Sequence, residues 1–155
     1  MPEIRRIDSG KIACIEEKGP YGNLSPLFHQ LKDFLNQRHV PYKDEHFAVI
    51  YDAPGTHDLN RLHFAAGLEL AGETLGNGEV IVVTRPAGWL ACETHRGSFE
   101  QLDETHQRLW QWAQSQGYRP SGAPYEFFLS GPLPGESADP GPVVVEIQLP
   151  VEKVG

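Results

Sequence analysis

The sequence lacks most of the features that would announce a chemistry. Its two cysteines, Cys14 and Cys92, lie far apart and form no CxxC pair, so the expectation is two reduced, buried thiols. No stretch approaches the roughly 20 apolar residues of a membrane span. The opening MPEIRRIDSGK has no apolar core of a signal peptide, so a cytoplasmic location is expected, with no membrane partner. Basic residues are short: 13 Lys and Arg face 21 Asp and Glu, for a net charge of -8. Nucleic acid needs clustered cations on its phosphates and is therefore excluded as a direct partner. The same acidity suits a cationic ligand or a basic protein surface. None of the seven histidines falls in an HxxxH, HxH or Cys-paired pattern, so no metal site is expected. Ser98 and Ser130 lack the GxSxG setting of a hydrolase serine, and no GxGxxG or P-loop run is present, so no cofactor is expected either.

What is present is an ordinary globular pattern. The chain has 155 residues, 39% hydrophobic and 22% charged, enough for one domain over residues 1–155. Alternating strands read at residues 3–7, 11–17, 46–52, 61–70, 79–85, 88–95, 124–131 and 143–151. Two helices are predicted near 22–38 and 99–116. The first carries Leu24, Leu27, Phe28, Leu31 and Leu35 at helical spacing, and the second Leu102, His106, Leu109 and Ala113. A Pro- and Gly-rich loop, PLPGESADPGP, precedes the last strand.

The halves 1–75 and 76–155 copy each other. With Ile12 laid on Leu90, IACIEEKGPYGNL covers LACETHRGSFEQL. Ala13 meets Ala91, Cys14 meets Cys92, Gly19 meets Gly97, Tyr21 meets Phe99, and Phe47 later meets Tyr125. Three extra residues in the second loop set LHFAAGLEL over VVVEIQLPV. We read a duplicated strand–helix–strand–strand unit. Neither copy could bury its own apolar face, so the two should share one core.

The run HRGSFEQL…HQRLWQWAQSQGY…PYEFFLSGP…VVVEIQLPV resembles the GyrI-like small-molecule-binding family, the effector-binding domain of bacterial transcription activators and of DNA gyrase inhibitor proteins. The likeness covers nearly the whole chain. It implies an α+β fold of tandem SHS2-type units related by a pseudo-twofold. Two helices would lie on one side of a mainly antiparallel sheet, with a multidrug-type ligand cleft between the halves. Many relatives carry a helix-turn-helix domain, for which this sequence offers no segment, so direct transcription-factor activity is not expected of it.

One residue breaks the pattern of the closing strand. In VVVEIQLPV, alternation puts Val143, Val145, Ile147 and Leu149 on the face under the helices and Val144, Glu146 and Gln148 on the other. The matching strand sets Leu62, Phe64, Ala66 and Leu68 against His63, Ala65 and Gly67, and these small residues should leave room beside Glu146. Aromatic rings are available as walls: Tyr21, Phe47, Tyr51, Trp89, Phe99, Trp110, Tyr125 and Phe127, with His63 on the same strand face as Ala65. A carboxylate among rings is a receptor for a flat cationic molecule, and the resemblance implies that role for Glu146 too. The bland reading is a solvated strand carboxylate and core aromatics.

Three functions follow as expectations. The first is a stand-alone module that senses or sequesters amphipathic or cationic aromatic molecules. In the second, some GyrI-like proteins hydrolyse reactive electrophiles, which would make Glu146 a base with Tyr125 beside it, and would need a carboxyl pKa raised by burial. The third is a protein inhibitor of DNA gyrase.

Overall fold

The computed structural model describes residues 1–155. Its elements follow in the order β1 (Glu3–Ile7), β2 (Gly10–Gly19), α1 (Leu24–Gln37), β3 (Phe47–Ile50), β4 (Leu62–Glu69), β5 (Val80–Arg85), β6 (Gly88–Gly97), α2 (Leu102–Ser115), β7 (Tyr118–Pro120), β8 (Tyr125–Ser130) and β9 (Val143–Lys153). A single 3-10 turn leads into each helix, Tyr21–Asn23 and Phe99–Gln101. The short strand β7 had no signal in the sequence. Its three residues, paired with β9 through Tyr118 and Lys153, are too few to show a period in sequence.

All nine strands form one antiparallel sheet, in the order β1-β6-β9-β8-β3-β4-β2-β5, with β7 on β9. The order is symmetric about the β8–β3 contact. On one side stand β3, β4 and β2 with α1, and on the other β8, β9 and β6 with α2. The outermost strands cross over. β1, from the first half of the sequence, pairs with β6, and β5, from the second, pairs with β2.

Those crossings bend the sheet. β1 and β2 are six strand positions apart, which is about 29 Å in a flat sheet. Yet only Asp8 and Ser9 join them, a link that reaches about 11 Å at most. Pro86 and Ala87 join β5 to β6 across an equal separation. The sheet therefore curls until its two edges approach, and one face becomes concave.

The convex face is the main core. Ile15, Phe64, Ala66 and Leu68 from one side and Val143, Val145, Ile147 and Leu149 from the other pack under α1 and α2 in one cluster, as alternation requires. Buried residues of α1 recur at Leu24, Leu27, Phe28, Leu31 and Leu35, and those of α2 at Leu102, His106, Leu109 and Ala113. Gly117 closes α2 with φ +82°, a conformation an L side chain resists. No helix is long and apolar enough to cross a membrane.

Candidate functional site

The concave face carries the other phase of the same strands. Ile12, Cys14, Phe47, Val49, Ala65 and Tyr125 form a second, smaller apolar cluster there. Above it the curled sheet encloses a cavity of about 510 Å³. Its wall draws on both edges of the sheet: Ile81, Val83 and Arg85 of β5 face Trp89 and Leu90 of β6, with Tyr51 and Tyr125 also exposed to it. A smaller pocket of about 300 Å³ shares Ile7, Ile12 and Arg85 and adds Phe127. Thirteen of the 20 residues around the larger cavity are hydrophobic. Two of its rings, Tyr51 at 44% and Trp89 at 42% exposure, remain partly open to solvent.

The residues expected at a site divide accordingly. Tyr51, Trp89 and Tyr125 line the large cavity and Phe127 the small one. His63 lies on the concave face but outside both. Its ring is 4.6 Å from that of Tyr51, and its Nε2 is bonded to Glu16. Tyr21 and Trp110 do not reach the concave face. Tyr21 is 4% exposed and stacks edge-on with Phe99 beneath the helices, and Trp110 packs on the same helix-side core. Both were drawn from aromatic content alone. Tyr21 precedes α1, and Trp110 lies within α2, on the far side of the sheet.

Glu146 is on the concave side, opposite Phe127 in β8 and Thr94 in β6. The pairing also sets Ala65 opposite Val49, the counterpart of Phe127 when Phe47 is laid on Tyr125. The room expected beside Glu146 is nevertheless taken. Phe47, 1% exposed, stands across from Gly67, and a Cβ on Gly67 would lie 2.3 Å from its ring. The small residue admits a ring of this chain, with no space left over.

Nor is the carboxylate free. Arg5 Nη1 donates to Glu146 Oε1 at 2.8 Å, and Gln148 Nε2 donates to the same oxygen at 2.5 Å. Burial pushes the Glu146 carboxyl up, but the bonds from Arg5 and Gln148 outweigh it and hold the group below the usual carboxylate range. A general base works best with the opposite shift. Glu146 borders neither pocket.

Sequence reasoning missed Arg85. Its phase in VIVVTR, shared with Ile81 and Val83, was the available signal. Arg85 accepts the position over the cavity's rings: its guanidinium lies 4.1 Å from the centre of the Tyr125 ring and 5.4 Å from that of Phe127. Arg85 Nη2 donates to Gln148 Oε1, so a chain of bonds runs from Arg85 through Gln148 and Glu146 to Arg5.

A second polar group was also missed. Glu126, inside the apolar strand YEFFLS, points to the helices and is 2% exposed. Tyr21 donates its hydroxyl to Glu126 Oε1 at 2.6 Å, and His106 Nε2 lies 2.6 Å from Oε2. The network is closed and touches no cavity wall. It ties β8 to α2 and to the turn before α1.

A curled antiparallel sheet with two helices outside and an apolar, ring-lined cavity inside defines a small-molecule-binding module. The chain belongs to the GyrI-like small molecule binding domain family, whose match spans residues 1–152. Among solved structures it is similar to EcmrR in a cryo-EM complex with DNA, at 18% identity and a TM-score of 0.81. There it covers 99% of this chain and 58% of the other, so it spans little more than half of that relative. The separate EcmrR C-terminal domain matches at 18% identity and TM-score 0.74, over 99% and 98% of the two chains. SAV2435 bound to tetraphenylphosphonium matches at 14% identity and TM-score 0.53, over 98% of both chains. No curated protein sequence matches.

Proposed function

We propose that this protein is a receptor that senses or sequesters amphipathic aromatic small molecules, bound in the concave cavity between Tyr125, Tyr51 and Trp89. The observation that carries this reading is a cavity of about 510 Å³, walled mainly by apolar groups, with two large rings left partly exposed. That size and lining suit a flat organic molecule with one polar end. The tetraphenylphosphonium-bound structure supports a ligand-binding role for the fold, and it holds an aromatic cation. The cationic head expected from Glu146 has less support, because Arg5 and Gln148 already hold one of its oxygens.

The test is a calorimetric titration with a neutral probe, (2-naphthyl)methanol. Tyr125→Ala and Trp89→Ala should each weaken binding about tenfold, the size of a lost aromatic wall. Trp110→Phe, on the helix side, should leave it unchanged. Equal binding by all four proteins would place the site elsewhere.

A further inference from the structure

The cavity wall contains a cation that is in salt-bridge contact with no carboxylate. Only two charged side chains line it, Arg85 and Glu152. Glu152 is paired with Arg119 at 2.6 Å. Carboxylates close to Arg85 are likewise held by other cations, Glu146 by Arg5 at 2.8 Å and Glu69 by Lys43 at 3.1 Å. In the adjoining smaller pocket the remaining acid, Asp8, is solvent-exposed. Arg85 itself is bonded to neutral groups, the amide oxygen of Gln148 and the Tyr125 hydroxyl. Its Nε is buried and has no partner at all.

Such a group is costly. A guanidinium taken out of water needs a counter-charge, and a buried N–H needs an acceptor. Arg85 has neither in full, and it sits where a ligand cation would have to stack on Tyr125. A second cation there would meet Arg85 with every nearby acid already paired or in solvent. An oxyanion would supply both missing elements, while its apolar body lay along Trp89, Val83 and Tyr51.

Resting on the cavity reading above, we propose that the ligands of this protein are anionic amphiphiles, aromatic or extended apolar molecules that end in a carboxylate or sulfonate, and that Arg85 receives the oxyanion. Arg85 is then the residue that sets charge preference, selecting acids over amines of the same shape.

Three probes with one ring system and different heads test it: 2-naphthoate, (2-naphthyl)methanol and (2-naphthyl)methylammonium, titrated by calorimetry. The parent protein should bind the naphthoate about tenfold or more tighter than the ammonium compound, the scale of one charge-assisted hydrogen bond. Arg85→Met should abolish that preference, read as the ratio of naphthoate to ammonium affinity, with the neutral alcohol reporting any general loss of cavity binding. Arg85→Lys should keep the preference in reduced form, and it serves if the methionine variant does not fold. A parent protein that prefers the ammonium probe, or an Arg85→Met protein with an unchanged ratio, overturns the assignment while the cavity stands. If none of the three probes binds, the cavity reading itself fails and takes this inference with it.

Discussion

Arg5 and Glu146 are joined across an intervening strand: Arg5 Nη1 on β1 meets Glu146 Oε1 on β9 at 2.8 Å, reaching over β6. The bond fastens an edge strand to the centre of the sheet and consumes the carboxylate that sequence reasoning offered to a ligand. Arg5 is 41% exposed and also contacts Glu3 at 2.6 Å, so solvent screens the pair and its worth is modest. Glu146→Gln should lower stability by about 1 kcal/mol and leave the affinity of an aromatic cation within about twofold. Denaturant melts and a titration with (2-naphthyl)methylammonium check both. A tenfold loss of that affinity would return Glu146 to the ligand.

The same bond predicts an acid limb in the stability profile. The Glu146 pKa is depressed in the folded protein, so its contribution is present above the unfolded value, near 4.5, and is lost as pH falls through the folded one. Arg5→Met should flatten this part of the curve. Chemical denaturation at a series of pH values below about 5 is the measurement.

Gly67 should tolerate no side chain. A Cβ there would come within 2.3 Å of the buried Phe47 ring, and that ring is braced by Tyr125 at 5.4 Å and Phe127 at 5.1 Å. Gly67→Ala is expected to cost about 1–3 kcal/mol through overpacking. Because Tyr125 is a cavity wall, ligand affinity should fall with it. Gly67→Ala combined with Phe47→Leu, which removes the obstructing ring edge, should recover part of the stability.

The buried Glu126 network should matter more than any surface pair. His106→Leu leaves Glu126 with one partner in a dry site and should cost about 3–5 kcal/mol. Tyr21→Phe removes one bond to a charged acceptor and should cost about 1–3 kcal/mol. Burial, and then the nearby Glu126, raise the Tyr21 hydroxyl well above its ordinary 10.0. A raised folded pKa means stability that is intact below about pH 10 and declines above it, as the unfolded chain alone releases its proton. Tyr21→Phe should remove part of that alkaline decline, read by denaturant melts between about pH 9 and 11.

Cys14 and Cys92 are free and buried, and burial pushes their thiols up to about 12 and about 11. Thiolate is therefore scarce at neutral pH, and a thiol reagent should modify the native protein far more slowly than the unfolded one. Cys14 lines the cavity, so a bound naphthoate should slow its residual reaction further. Cys92 does not line it and should be unaffected by ligand. Mass spectrometry of the modified peptides separates the two.

Much of the architecture could be read from local pattern. Period-two alternation identified eight strands and assigned Val143, Val145, Ile147 and Leu149 to the core face, because a pleat leaves no other choice. Three- and four-residue spacing placed both helices to within about three residues, since an amphipathic stripe of that period has few other uses. The family resemblance was likewise contained in the order of these elements, and the phase of Glu146 correctly put it opposite the helices. Pairing and curvature were not local properties. That β1 leaves its own half to join β6, and that Asp8–Ser9 and Pro86–Ala87 draw the two edges of the sheet together, depend on contacts between residues some 80 positions apart in the chain. Those contacts decided the site. They brought Arg5 to Glu146 and closed the carboxylate, filled the space at Gly67 with Phe47, and put Arg85 over Tyr125. Sequence marks which residues face which side; only the folded sheet determines which of them meet, because a charge pairs with whatever the curvature brings within reach.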